Sequence, residues 1–119
     1  MTNTVPPIYP VYTTVTVASG QTVSSAVDIG KYDIVGLITP STFDGTTVTI
    51  SAATTLDGTY YPVAASNSAS TAYTITTTAS IFTPISNLIT AGLRYVKLTC
   101  GSSQTTTATD LVLVLRPKS

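Results

Sequence analysis

Short runs in which threonine alternates with valine, isoleucine or leucine recur along this chain at intervals of roughly ten residues. Alternation at period two places one kind of side chain on each face of an extended strand, so such runs commit a chain to β-sheet. Residues 11–17 (VYTTVTV) set Val15 and Val17 on one face and Thr14 and Thr16 on the other. Residues 46–52 repeat the device, with Val48 and Ile50 inward and Thr47, Thr49 and Ser51 outward. Further strands are expected over residues 22–29, 34–38, 59–64, 72–77, 94–100 and 110–116. Gly20-Gln21 and Gly30-Lys31 mark turns, and Asp57-Gly58 is the clearest hairpin signal. The apolar run 34–38, closed by Pro40, reads as a strand covered on both sides. Residues 81–89, broken by Pro84 and Asn87, read as an irregular crossover with room for one helical turn. No segment of useful length has helical periodicity. Eight antiparallel strands around one core, in 119 residues, predict a single all-β domain over residues 11–119, a β-sandwich of jelly-roll type.

The first ten residues are of another kind. Pro6, Pro7 and Pro10 withhold backbone donors and favour an extended, polyproline-like arm over residues 1–10. With Ile8 and Tyr9 between them they carry apolar surface and have little entropy to lose on docking into a neighbour's groove. Pro6, Pro7, Ile8, Tyr9 and Pro10 are therefore the first expected protein contacts. Loop tips, Asp57 and Gly58 with residues 66–70, are the second.

Composition removes most chemistry. The chain has no histidine, no glutamate and no tryptophan, and about a fifth of it is threonine. General acid–base catalysis near neutral pH rests on histidine or on paired carboxylates. The five acids here, Asp28, Asp33, Asp44, Asp57 and Asp110, are scattered through turns and strand ends. No enzyme and no cofactor are expected. Calcium is the one metal with suitable donors, through Asp28, Asp33 and Asp44, but no calcium-loop spacing joins them. Cys100 is in phase with Val96 and Leu98 and reads as a buried small apolar residue, without a histidine to activate it. Charged residues make up 8% of the chain and cancel to a net charge of zero, so nothing steers nucleic acid or anionic membrane to it. A surface with so little charge also resists self-association poorly. The N-terminus carries no signal-peptide pattern, and the longest aliphatic run, residues 111–115, is too short to span a bilayer. The tyrosines Tyr9, Tyr12, Tyr32, Tyr60, Tyr61 and Tyr73 offer a weak carbohydrate platform; of the adjacent pair Tyr60 and Tyr61, one is expected in the core and the other exposed.

The ordered set of motifs adds a resemblance. Residues 24–63 (SSAVDIGKYDIVGLITPSTFDGTTVTISAATTLDGTYYPV), 88–101 (LITAGLRYVKLTCG) and 109–117 (TDLVLVLRP) resemble small virion proteins of tailed bacteriophages. Those chains run in the same order: a turn like SxAVDLGG, an LVGI.MP strand, a strand ending in a DG hairpin, a G.RYLK strand and a closing L.LVLR strand. Lys31 stands where the second glycine of that turn would be, and Phe43 where a tryptophan would follow the MP element. The resemblance implies a capsid cement or decoration protein that binds the major capsid protein across capsomers. It also implies self-association, with a homotrimer favoured, synthesis in the host cytoplasm and residence on the capsid surface. The competing expectation is a tail, baseplate or head-fibre binding module with carbohydrate affinity, echoed by GLRYVKL at residues 92–98.

Overall fold

Strand β1 (Val11–Val17) forms where the valine–threonine alternation places it, and it pairs antiparallel with the last strand, β9 (Thr109–Pro117). The computed structural model describes residues 11–66, 70–105 and 107–117. Between those two strands lie β2 (Val27–Asp28), β3 (Tyr32–Thr39), β4 (Thr47–Ala53), β5 (Tyr61–Pro62), β6 (Thr74–Thr76), β7 (Ile81–Pro84), the single helical turn α1 (Asn87–Thr90) and β8 (Tyr95–Cys100). The first sheet has the order β1-β9-β3-β7. The second has the order β2-β8-β4-β5, with β6 also on β4. Antiparallel partners are nested: β1 with β9, β2 with β8, β3 with β7, and β4 with β5 and β6. That nesting is a long hairpin rolled into two facing sheets, the jelly roll expected from the strand spacing. The arm expected over residues 1–10 lies outside the described residues.

The core is the set of inward positions of both sheets. Leu111, Leu113 and Leu115 of β9 and Val15 and Val17 of β1 face Val48 and Ile50 of β4 and Val96, Leu98 and Cys100 of β8. Ile29, Phe43, Ile75 and Ile85 close the ends and the edge. Each fully buried aliphatic side chain contributes about 1.5–3 kcal/mol relative to exposure.

Two expectations are corrected by the strand pairing and two are refined. Residues 22–29 are not one strand. Only β2 and a bridge from Val23 to Thr99 pair there, because this segment crosses between sheets. Ser24 exchanges bonds with Leu98 of the second sheet, its Oγ accepting the Leu98 N–H at 2.9 Å, while the Ser25 N–H reaches Thr16 O of the first sheet at 3.0 Å. Residues 81–84 are not part of an irregular crossover but a strand. Pro84 is tolerated because β7 is an edge. The strand expected over residues 59–64 and the one over 72–77 both lie along the same side of β4, the chain leaving at Val63 and returning at Tyr73, whose N–H bonds Val63 O at 2.7 Å. Finally, the hairpin expected at Asp57-Gly58 is present, with β4 pairing antiparallel to β5. Gly58 closes a turn from Thr55, its N–H meeting Thr55 O at 3.1 Å, within a longer loop.

Strand β3 carries a bulge between Ile34 and Gly36, which lets both Ile34 and Leu37 point into the core. The carbonyls loosened there are recaptured: Thr90 Oγ1 donates to Ile34 O at 2.8 Å and the Ile85 N–H to Val35 O at 3.0 Å. At the opposite end of the sandwich a fully buried amide does the same work. Gln104 Nε2 donates to Asp44 O (2.8 Å) and Ser102 O (3.1 Å), and its Oε1 accepts from the Asp44 N–H and Thr109 Oγ1 (both 2.9 Å). Its own backbone bonds Gly20 and Gln21, so one residue ties three loops.

Gln104→Glu keeps the shape and both acceptor roles but loses both donations, setting a buried carboxylate against two carbonyls. It is expected to lower stability by about 2–4 kcal/mol at neutral pH. Burial raises such a carboxyl above its ordinary value, so the deficit shrinks as pH falls through that raised folded value and stops shrinking below the ordinary glutamate range. Urea unfolding at several pH values measures both effects.

Candidate functional site

Strand registers place one end of the sandwich apart from the rest. Tyr95 at the start of β8 lies opposite Ala53 at the end of β4 and Asp28 of β2, while Tyr32 at the start of β3 lies opposite Pro117. The tyrosines Tyr32, Tyr60, Tyr61 and Tyr95 therefore gather at this end. So do all four described basic residues, Lys31, Arg94, Lys97 and Arg116, with Asp28, Asp33 and Asp57 among them. Asp44 and Asp110 lie at the opposite end with no base beside them. β1 begins and β9 finishes at the base-bearing end.

The polar contacts at this end are specific. Arg94 Nε donates to Asp28 Oδ1 at 3.3 Å, and the guanidinium stacks 5.0 Å from the Tyr95 ring. The Gly30 N–H donates to the same Asp28 oxygen at 2.9 Å. That N–H first, and then Arg94, hold the Asp28 carboxyl below its ordinary value, and Asp28 in turn raises Arg94. Lys97 Nζ sits 4.6 Å from the centre of the Tyr60 ring, whose hydroxyl donates to Leu56 O at 2.7 Å. Partial desolvation, with Asp57 and Tyr95 nearby, raises Tyr60. Neither Tyr60 nor Tyr61 is in the core, against expectation: Tyr60 is half-buried under Lys97 and Tyr61 is 66% exposed. Asp33 Oδ1 is buried with no hydrogen-bond partner among the described residues.

Two clefts open here. One, of about 410 Å³ and mostly apolar, lies between the end of β4 and the turn before β8, lined by Ala52, Ala53, Tyr61, Leu93 and Arg94. The other, of about 450 Å³ and polar, runs between Ser24, Ser25 and the hairpin loop that carries Leu56, Asp57 and Gly58, with Tyr60 and Lys97 in its wall. The two expected loop-tip contacts, Asp57 and Gly58, thus border a groove. Pro6, Pro7, Ile8, Tyr9 and Pro10 lie outside the described residues, as do residues 67–69 of the second loop.

The two broad faces differ sharply. On the outer face of the first sheet, register sets Tyr12, Val114, Gly36 and Pro84 in one row and Thr14, Val112, Ile38 and Phe82 in the next. The Phe82 ring lies over Gly36, where a Cβ would stand 2.5 Å from its Cζ. Tyr12 and Phe82 are 60% and 50% exposed, so this is an apolar stripe with no charge in its two central rows. The outer face of the second sheet carries hydroxyls, Thr47, Thr49, Ser51, Thr74, Thr76 and Thr99, with Lys97 and Tyr95 toward its base-bearing end. The sequence reading missed the stripe, because Phe82 belonged to a supposed crossover and its seat, Gly36, comes from a distant strand.

The three aspartates weighed for calcium do not converge. Asp28 and Asp33 are at one end, while Asp44 at the other is engaged by Thr105, whose N–H and hydroxyl both reach Asp44 Oδ2 (3.0 and 3.2 Å). Among the described residues no three metal-ligating side chains form a group, and no helix is long and apolar enough to cross a membrane. Comparison with protein-family models, with curated proteins and with solved structures finds no match. Fold and surfaces together define the class: an all-β jelly-roll module whose distinctive groups lie on open surfaces rather than in an enclosed pocket.

Cys100 is buried on β8 and its thiol is pushed up to about 11 by burial. It is expected to resist iodoacetamide at pH 8 in the folded protein and to react at the rate of a free thiol in denaturant, read by mass spectrometry. Asp28 is exposed, so its ion pair is a minor and salt-sensitive contribution. Its depressed carboxyl adds stability that is present above the ordinary value of 3.8 and is lost as pH falls through the lower folded value. In an NMR titration, Arg94→Gln is expected to bring Asp28 only part of the way back toward 3.8, because the Gly30 N–H remains.

Proposed function

We propose that this chain is a structural protein of a bacteriophage virion, a cement or decoration protein that binds the major capsid protein across capsomers and stabilises the head. It works by burying surface, without catalysis or cofactor. The reading rests on the motif order in the sequence. The observation that carries it furthest in the fold is the apolar stripe on the first sheet, where Tyr12 and Phe82 stand exposed on a face with no charge at its centre. Exposed large apolar groups grouped on one face of a small domain are the usual mark of a protein-contact surface. Exposed aromatic side chains set among valine and isoleucine match the enrichment of aromatics at the centre of protein interfaces. The protein is made in the host cytoplasm and resides on the capsid surface.

A second reading is favoured by the cleft beside Tyr61. A tyrosine wall, an apolar floor and the Arg94 guanidinium suit a sugar ring that stacks on one face and accepts hydrogen bonds at its rim. That would make the chain a tail or fibre module with carbohydrate affinity.

Purified protein added to heads that lack it is expected to co-sediment at a fixed ratio to the major capsid protein and to raise the temperature of genome release. Phe82→Ser, checked for an unchanged far-ultraviolet spectrum, is expected to weaken binding by about tenfold or more. Deleting residues 1–10 tests the arm in the same assay. Absence of co-sedimentation, with glycan-array binding that Tyr61→Ala abolishes, would replace the capsid reading by the carbohydrate one.

A further inference from the structure

Strand β1 closes one edge of the first sheet, with β9 on one side and no described strand on the other. Edge strands of monomeric proteins are normally guarded by a charge, a proline, a bulge or a short length. The far edge, β7, has two such guards: it is four residues long and ends in Pro84. β1 is seven residues of VYTTVTV and has none of them.

The open hydrogen-bonding groups of this edge can be assigned. Thr16 donates its N–H to Ser25 Oγ at 3.2 Å and accepts the Ser25 N–H at its C=O at 3.0 Å, so its backbone groups point away from β9. Direction alternates along an antiparallel strand, so Tyr12 and Thr14 point their N–H and C=O the same way. Ser25 bounds the open stretch on one side. On the other side the strand begins at Val11, and the residue before it in the sequence is Pro10, which has no N–H to give.

We propose that this edge pairs with the same edge of a second copy of the chain, antiparallel, about a two-fold axis at Thr13. In that register Tyr12 of each copy faces Thr14 of the other, and each such pair exchanges two N–H···O=C bonds. A shift of two residues either way brings Pro10 or the occupied Thr16 into the ladder and forfeits bonds. A shift of one sets core-facing side chains against outward ones. The side chains agree with the same register: Val11 meets Val15 on the core side, and Tyr12 meets Thr14 on the outer side. No charge lies on either strand, and the chain carries no net charge to oppose association. The two first sheets become one continuous sheet, and the apolar stripe runs across the axis through both Tyr12 side chains. A contact of this symmetry closes at two copies and does not propagate. It therefore gives a dimer, not the three-fold grouping that the virion resemblance implies. The pairing follows from the edge itself and holds whether or not the capsid role does.

Light scattering and sedimentation equilibrium of the full chain, from micromolar to millimolar, are expected to give twice the 12.3 kDa chain mass. Thr14→Pro removes an outward N–H and no bond to β9, so the spectrum is expected to stay native while the dissociation constant rises at least about tenfold. Thr13→Cys is expected to form a disulfide-linked dimer on mild oxidation, since the two-fold brings the Thr13 positions within bridging distance. Tyr12→Cys, off the axis, is expected not to. A monomer or trimer mass at every concentration would overturn the proposal. So would a native Thr14→Pro dimer of unchanged affinity, or Thr13→Cys that does not cross-link. Capsid co-sedimentation is a separate readout, so failure of the dimer and failure of the virion role are told apart.

Discussion

Strand β9 is the constraint on which the rest of this structure depends. It bonds β1 along one edge and β3 along the other, so two of the three pairings of the first sheet pass through it. Its inward Leu111, Leu113 and Leu115 are buried, and they supply the middle of the core. Because β9 is last in the chain and β1 is the first strand of the fold, the jelly roll closes only when distant segments meet. Such non-local pairing costs loop-closure entropy before the leucines are buried, which marks this domain as a slow folder for its size.

Rolling the hairpin leaves backbone groups at the bends that no strand can satisfy, and buried groups of that kind are costly. Three side chains answer this need. Ser24 stands in for a missing strand partner of Leu98, Thr90 for the partner of Ile34 at the β3 bulge, and Gln104 for the ends of three loops at once. The loops at the Gln104 end are thus tied by short polar bonds to a buried amide. At the opposite end, charged and aromatic side chains remain half-exposed or exposed around two clefts. One end of the sandwich is bound up in its own structure, and the other leaves charged and aromatic groups facing solvent.

The same division holds for the broad faces. The outer side of the second sheet is capped by hydroxyls that water satisfies readily, whereas the outer side of the first sheet is apolar around Tyr12 and Phe82. With so few charges in the chain, the proposed contacts would rest on shape and apolar area, and salt would influence them little. The proposed virion role and the proposed pairing through β1 both draw on this first sheet. One uses its face and the other its edge.

The sequence by itself determined the strands whose faces differ. β1, β4, β8 and β9 were legible because valine, isoleucine or leucine at alternate positions leaves only one side that can be buried. The burial of Cys100 was legible for the same reason. Elements whose existence depends on a distant partner were not. β2 is short because Ser24 and Ser25 serve two sheets, and β7 is a strand because β3 lies beside it. Tyr60 stays out of the core because Lys97 and Leu56 hold it at the surface. The apolar stripe, the base-bearing end and the open edge of β1 likewise arise from register across strands far apart in the chain. Alternation reports which side of a strand faces the core; only the fold decides which strands, and so which side chains, stand next to one another.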